Sequence, residues 1–262
     1  MEKVKRRVAD RGILRLLEGW LKAPVKEEGE DGKSTWKGGK RTRRGTPQGS
    51  VISPLLANIY LHELDKHWRE EELERRLQAR LIRYADDMVI VCKGTATQAM
   101  TEVRKVVEGL GLRINEGKTR QVDAWKQAFT FLGFELAMRQ SPRTGRYFPM
   151  VRPSTGAMKR VRRAIKEKTT RRHHNRPPEE VIAGVNRSVR GWVQYFHYGH
   201  CTQEFNKLRR YLAERIRNLL LRRRGRRSWF YVYSEKLLCE RYGMYLIPLN
   251  APWKQAYAHA LR

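Results

Sequence analysis

The stretch Ala79-Arg-Leu-Ile-Arg-Tyr84-Ala85-Asp86-Asp87-Met88-Val-Ile-Val91-Cys92 constrains the fold of this chain most. β-forming residues flank an acidic pair: Leu81, Ile82 and Tyr84 before it, Val89, Ile90 and Val91 after it. The pattern predicts a hairpin with two adjacent carboxylates at or near its turn. Two charges in an otherwise apolar hairpin are costly unless a cation meets them. A hard divalent ion would do so. Mg²⁺ prefers oxygen ligands, takes one or two protein carboxylates, and fills its remaining positions with water and substrate phosphate. As an isolated dipeptide, Asp-Asp is more simply a polar turn, so its surroundings decide.

The 262 residues suffice for one large or two modest domains with real cores. The formal charge is +29. It is unevenly spread: residues 1–150 carry 30 Lys and Arg against 20 Asp and Glu, and residues 151–262 carry 26 against 7. A positive field of that size calls for a polyanionic partner, and nucleic acid fits better than an anionic membrane surface. No run approaches the roughly 18 apolar residues of a membrane span. No amphipathic segment pairs a lone basic face with a terminal anchor either. The three cysteines, Cys92, Cys201 and Cys239, are far apart and form no Cys-x-x-Cys pair. That argues against a cysteine-built zinc site and fits a reducing compartment. The N-terminus has no secretory pattern.

In chain order, Val4, Val8, Ile13, Leu14, Leu17 and Leu21 predict a basic amphipathic helix over 1–23, ended by Pro24. Residues 25–43 read as a solvated loop or short hairpin, with Trp36 packed beneath. Arg44-Gly-Thr-Pro47-Gln48-Gly49-Ser-Val-Ile-Ser53-Pro54 then combines two prolines and two glycines, which imposes an irregular backbone. Ser53-Pro54 is a helix start, with Leu56, Tyr60, Leu64 and Trp68 on one stripe beyond it. A glycine-bearing loop at a helix N-terminus exposes N–H groups that favour phosphate, although a purely structural joint reads equally well. Alternating charges after Trp68 mark a solvated face.

Beyond the acidic hairpin, Thr97 to Gly109 reads as a helix with Met100, Val103, Val106 and Val107 inward. Gly109 to Thr119 reads as a turn, a short strand and a turn bearing Lys118. That lysine is a candidate phosphate ligand, though in isolation it is simply a surface lysine. Phe129 to Leu136 reads as a strand pair around Gly133. The sum is an α+β layer with an antiparallel sheet. After Pro153 come a basic helix over 157–172, a linker at 173–178, and two helices. One has the stripe Ile182, Val185, Val189, Trp192, Val193 and Phe196. The other has Phe205, Leu208, Leu212, Ile216 and Leu219. Together they predict a three-helix bundle with Arg- and Lys-rich polar faces. Arginines cluster at 222–227, and the aromatic-rich residues 228–262 close the bundle.

The ordered set Gly45-Thr-Pro-Gln-Gly-Ser-Val-Ile-Ser-Pro-Leu-Leu-Ala-Asn-Ile-Tyr60-Leu61, Tyr84-Ala-Asp-Asp87, Gly111-Leu-Arg-Ile-Asn-Glu-Gly-Lys-Thr119 and Phe131-Leu-Gly-Phe134 resembles the palm of group II intron-encoded reverse transcriptase/maturases. Gly184-Val-Asn-Arg187-Ser-Val-Arg190-Gly191-Trp192-Val-Gln-Tyr195-Phe196 is similar to the thumb, or maturase, segment of the same family. The resemblance implies a partial right-hand polymerase palm, an antiparallel sheet with helices, over 1–150. An all-α three-helix thumb/maturase domain follows over 151–262.

The same resemblance implies RNA-directed DNA polymerisation by a two-metal reaction with Mg²⁺. Asp86 would be the metal-binding carboxylate and Asp87 its less direct partner. Pro47, Gln48 and Gly49 would meet the incoming nucleotide and template, with Lys118 near the triphosphate. Leu132 and Gly133 would grip the primer end. Lys159, Arg160, Arg163, Arg187, Arg190, Arg222, Arg223 and Arg224 would contact RNA. The expected partners are structured intron RNA, the template and the RNA/DNA duplex, with no membrane, in the bacterial cytoplasm.

Family members also carry fingers and a first palm strand with another metal-binding aspartate. This chain is expected to start downstream of both, because Asp10 matches a position that is not catalytic. A second chain supplying them is therefore one expectation. An inactive truncated product or a non-catalytic RNA-binding splicing factor is the alternative.

Overall fold

The computed structural model describes residues 1–28, 34–38, 52–94, 96–173, 175–223 and 233–249. Two compact units divide between Gln121 and Val122.

In the first unit the helix expected over 1–23 is broken in two, α1 (Glu2–Lys5) and α2 (Arg11–Leu21). Asp10 causes the restart. Its carboxylate accepts hydrogen bonds from the N–H groups of Gly12 at 2.7 Å and Ile13 at 2.9 Å, satisfying two of the helix's free donors. Asp10 is thus an N-cap rather than a residue inside a helix. The strands β1 (Pro24–Glu28) and β2 (Ser34–Gly38) pair antiparallel. The side chain of Trp36 lies outside the described residues.

The helix α3 (Ser53–Glu70) starts at Ser53 with Pro54 in its first turn, as read from the sequence. Its buried stripe is Leu61, Leu64 and Trp68. Tyr60 stays exposed and donates its hydroxyl to the Leu110 carbonyl at 2.6 Å. A short turn, α4 (Leu73–Arg76), leads into β3 (Ala79–Tyr84) and β4 (Asp87–Cys92), and then into α5 (Thr97–Gly109).

Leu64, Trp68, Leu73, Ala79, Ala99, Val103 and Val107 form the core of this unit. Burying each large apolar side chain stabilises by about 1.5–3 kcal/mol. The Trp68 indole N–H donates to the Ala79 carbonyl at 3.1 Å, which ties α3 to the first residue of the acidic hairpin. The short strand expected within 109–119 does not form. That segment is irregular and ends in a turn where the Lys118 N–H donates to the Asn115 carbonyl at 3.0 Å.

The second unit opens on a three-stranded antiparallel sheet, β5 (Phe129–Phe131), β6 (Phe134–Gln140) and β7 (Tyr147–Pro153), in that order. The helices α6 (Thr155–Lys168), α7 (Pro178–Phe196), α8 (Thr202–Arg223) and α9 (Glu235–Tyr242) follow. Ser154 caps α6 by accepting from the Ala157 N–H at 3.2 Å. The stripes read from the sequence are the core: Ile182, Val185, Val189 and Phe196 of α7 meet Phe205, Leu208, Leu212 and Ile216 of α8.

Phe134 of β6 packs against this helical core, so the sheet and the helices share one interior. For that reason packing divides the chain at 121/122, before the strand pair, whereas the expected functional boundary is at 150. The described residues form three antiparallel sheets, two of two strands and one of three. The fold is α+β: antiparallel hairpins with helices, the material of a partial palm, followed by a helical maturase domain.

Two features hold the second unit tightly. Asn186 on α7 is buried, donates to the Gly243 carbonyl at 2.7 Å and accepts from the Tyr245 N–H at 2.9 Å. Gly199 has φ +75°, and a Cβ there would lie 2.4 Å from the Val151 carbonyl oxygen. Only glycine lets the chain leaving α7 pass so near to β7.

Candidate functional site

The acidic pair stands at the free end of the β3–β4 hairpin. Tyr84 pairs with Asp87, leaving Ala85 and Asp86 as a two-residue turn. Ala85 takes φ +54°, a region costly for a residue with a Cβ. Register puts Ala79, Leu81 and Arg83, with Cys92, Ile90 and Met88 opposite, on the face that meets the α3–α5 core. The other face carries Ile82, Tyr84 and Val91, at 44%, 67% and 55% exposure.

Arg83 turns its cation inward near the turn. Its guanidinium donates to both Asp65 carboxylate oxygens, to Asn58 Oδ1 at 2.8 Å and to the Ala85 carbonyl at 2.8 Å. The hydrogen bond to Asp65 holds its pKa above the usual arginine value. Arg83 is thereby committed to Asp65 and to the strained turn, and is not the cation expected to meet the acidic pair. Asp86 and Asp87 are exposed, and their side chains make no ion pair among the described residues. At the opposite end of the hairpin from the turn, burial pushes the Cys92 thiol's pKa up.

The donor chemistry fits a hard divalent cation, since both groups are carboxylates in solvent. Among the described residues, no cluster of three or more His, Cys, Asp or Glu is placed to hold a metal. Lys118 is exposed on its turn. Pro47, Gln48 and Gly49 lie outside the described residues.

The second hairpin turn, Leu132-Gly133, joins Phe131 to Phe134. Both residues have positive φ, +49° and +81°, as a type I′ turn requires. Long-range contacts brace it. The Tyr195 hydroxyl donates to the Leu132 carbonyl at 3.0 Å, and the Ser154 N–H donates to that of Gly133 at 2.9 Å. The Phe196 ring lies 3.2 Å from where a Gly133 Cβ would stand. An open cleft of about 360 Å³ beside the turn is lined by Thr130, Gly133, Glu135, Ser154, Thr155, Gly156 and Arg160. Arg160 is therefore brought to the turn, a neighbourhood that nothing in the local sequence around either residue signals.

Lys159, Arg160, Arg163, Arg187 and Arg190 are all exposed on α6 and α7. Arg163 makes only a loose 3.9 Å pair with Glu167, and Arg190 lies over the Tyr245 ring at 5.1 Å. Arg222 and Arg223 end α8, their side chains outside the described residues, and Arg224 lies wholly outside them. The described helices include none long and apolar enough to cross a membrane.

Comparison with known proteins agrees with this arrangement. Residues 4–136 match the family model for reverse transcriptase (RNA-dependent DNA polymerase), and residues 158–235 match that of the group II intron maturase-specific domain. Protein YkfC of Escherichia coli (strain K12) is 31% identical over 172 residues, covering 54% of this chain and 43% of that protein. An uncharacterized 91 kDa protein in the cob intron of Schizosaccharomyces pombe is 23% identical over 226 residues, covering 60% and 28%. The group II intron-encoded protein LtrA of Lactococcus lactis subsp. cremoris is 77% identical over 26 residues, 10% of this chain and 4% of that protein. The chain thus spans less than half the length of the curated relatives it matches. With a reverse transcriptase match over half its length and a maturase match behind it, the chain belongs to the group II intron-encoded reverse transcriptase/maturase family.

Proposed function

We propose that this chain carries the catalytic hairpin and the RNA-binding thumb of an RNA-directed DNA polymerase of group II intron type. The observation that carries the reading is the pair Asp86 and Asp87, solvent-facing at the end of a hairpin whose Arg83 is turned away to Asp65. These carboxylates would hold Mg²⁺, which when bound stabilises charge on phosphoryl oxygens. Asp86 is the direct ligand and Asp87 supports it. A further carboxylate completes the centre from outside the described residues, supplied by a second chain or a longer form of this one.

Lys118 neutralises the triphosphate, where a fixed cation stabilises developing charge. The Pro47-Gln48-Gly49 loop meets nucleotide and template. The Leu132-Gly133 turn holds the primer end, with Arg160 on the adjoining phosphates. Lys159, Arg163, Arg187, Arg190 and the arginines at 222–224 bind template, RNA/DNA duplex and structured intron RNA, and by holding that RNA assist its splicing in the bacterial cytoplasm. Thumb and palm divide functionally near residue 150.

The test is primer extension on an RNA template with Mg²⁺. The chain is assayed alone and together with a polypeptide carrying the fingers and first palm strand of a group II intron reverse transcriptase. Extension that vanishes in Asp86→Ala is expected. Extension that survives Asp86→Ala would overturn the assignment. No extension in either mixture, with RNA binding retained, would favour a non-catalytic splicing factor that keeps the maturase surface.

A further inference from the structure

The second unit exposes two large aromatic side chains, Trp125 on the turn before its sheet and Tyr147 in the sheet, that the proposed function does not use. Trp125 and Tyr147 are 59% and 58% exposed, yet their rings touch edge to face with centroids 5.0 Å apart. Leaving such rings in water forgoes the gain of burying them. Isolated exposed apolar residues are ordinary, but here two stand together, one on a locked turn and the other directly after one.

The turn bearing Trp125 is closed by Asp123. Its carbonyl accepts from the Lys126 and Gln127 N–H groups at 3.0 and 2.9 Å, and its carboxylate accepts from the Trp125 N–H at 3.0 Å. The Met138 N–H of β6 donates to the Ala124 carbonyl at 2.8 Å and pins that turn to the sheet. Tyr147 opens β7, opposite Gln140, directly after the turn 141–146. That turn is closed by the Ser141 N–H on the Arg146 carbonyl, the Gly145 N–H on the Ser141 carbonyl, and the Gln140 amide on the Gly145 carbonyl, each at 2.9 Å.

Arg143 and Arg146 project from the same turn. Both are exposed, and neither makes an ion pair among the described residues. Rigid aromatic faces beside available guanidinium groups are what an unpaired nucleic-acid strand needs: π-surfaces for its bases and cations for its phosphates.

We infer that Trp125 and Tyr147 form a stacking platform for one or two unpaired bases of a nucleic-acid strand, with Arg143 and Arg146 on the flanking phosphates. A duplex keeps its bases stacked on one another and has no ring to offer, so the platform selects single-stranded segments. The inference rests on the nucleic-acid part of the proposed function and not on polymerisation.

The experiment measures affinity for a fluorescent U-rich RNA oligonucleotide, its thymidine DNA counterpart and a blunt-ended RNA duplex of two fully complementary strands. The full chain is compared with Trp125→Ala, Tyr147→Ala, Trp125→Phe and the pair Arg143→Ala/Arg146→Ala. Each alanine variant of the rings should weaken single-strand binding about ten-fold, leave the duplex unchanged and leave the salt slope unchanged. Trp125→Phe should retain most of the affinity. The arginine pair should lower the salt slope on single strands by about 1.4.

Equal loss on RNA and DNA single strands assigns the platform to the base, and a larger loss on RNA adds a sugar contact; both support it. Unchanged single-strand affinity in Trp125→Ala and Tyr147→Ala, equal loss on the duplex, or Trp125→Phe behaving as Trp125→Ala would overturn it. If the unsubstituted chain bound no RNA, the broader nucleic-acid reading would fail instead.

Discussion

Two hairpin turns of the same length behave differently in this molecule. Ala85-Asp86 and Leu132-Gly133 both join strands through two residues, and each begins with a non-glycine residue at positive φ, +54° and +49°. The first is secured locally, by an arginine two residues back that bonds the Ala85 carbonyl, and its carboxylates face solvent. The second is secured from afar, by Tyr195 and Phe196 at the end of a helix more than sixty residues away. Turn geometry therefore does not distinguish their tasks; what braces each turn does. A turn held from behind leaves its acidic tip free for ligands. A turn held by aromatic rings becomes part of the domain that follows it, which is why the second unit begins before β5 rather than after the sheet.

That contrast can be broken most severely at Gly133. Gly133→Ala places a Cβ 3.2 Å from the Phe196 ring at φ +81°. It should cost about 2–3 kcal/mol, read as earlier chemical denaturation of the second unit, with hydrogen exchange in β3–β4 unchanged. Matching loss of protection in both hairpins would show that the turns do not depend on separate braces. Arg83→Met comes next. It removes the donors to Ala85, Asn58 and Asp65 and should cost about 2 kcal/mol, with faster exchange at the tip of β3–β4 while β5–β7 is unaffected. The smallest effect is of opposite sign. Ala85→Gly relieves the positive φ and, after the greater unfolded-chain entropy of glycine, should stabilise the first unit by about 0.5 kcal/mol. Destabilisation there would mean that the methyl group makes contacts that outweigh the strain.

Local patterns in the sequence carry much of the fold. The alternation around Asp86-Asp87, the Ser53-Pro54 helix start, the span Thr97–Gly109 and the stripes of α7 and α8 all appear where periodicity places them. The break between α1 and α2 is harder to read, although its cause is local. Asp10 before an apolar run is a capping signal, and the long helical periodicity around it masks the restart. The strand expected within 109–119 has β-formers but gains no partner strand, so it stays irregular. What no local pattern carries is distance. Tyr195 on Leu132, Arg160 beside Gly133 and Trp125 against Tyr147 each join segments whose neighbours in sequence say nothing of one another. The roles proposed for Asp86, Lys118 and the basic residues rest instead on their chemistry and on the family.

The central claim is a division of labour: the carboxylate hairpin acts chemically, and the basic helical unit holds RNA. Its most direct test is the affinity and salt dependence of RNA binding by Asp86→Ala beside the unsubstituted chain. The two should bind with the same affinity and the same salt slope, because the hairpin tip contributes no phosphate contact. A fall in RNA affinity with Asp86→Ala, in a chain whose thermal unfolding is unchanged, would contradict the division and make the acidic hairpin part of the RNA-binding surface.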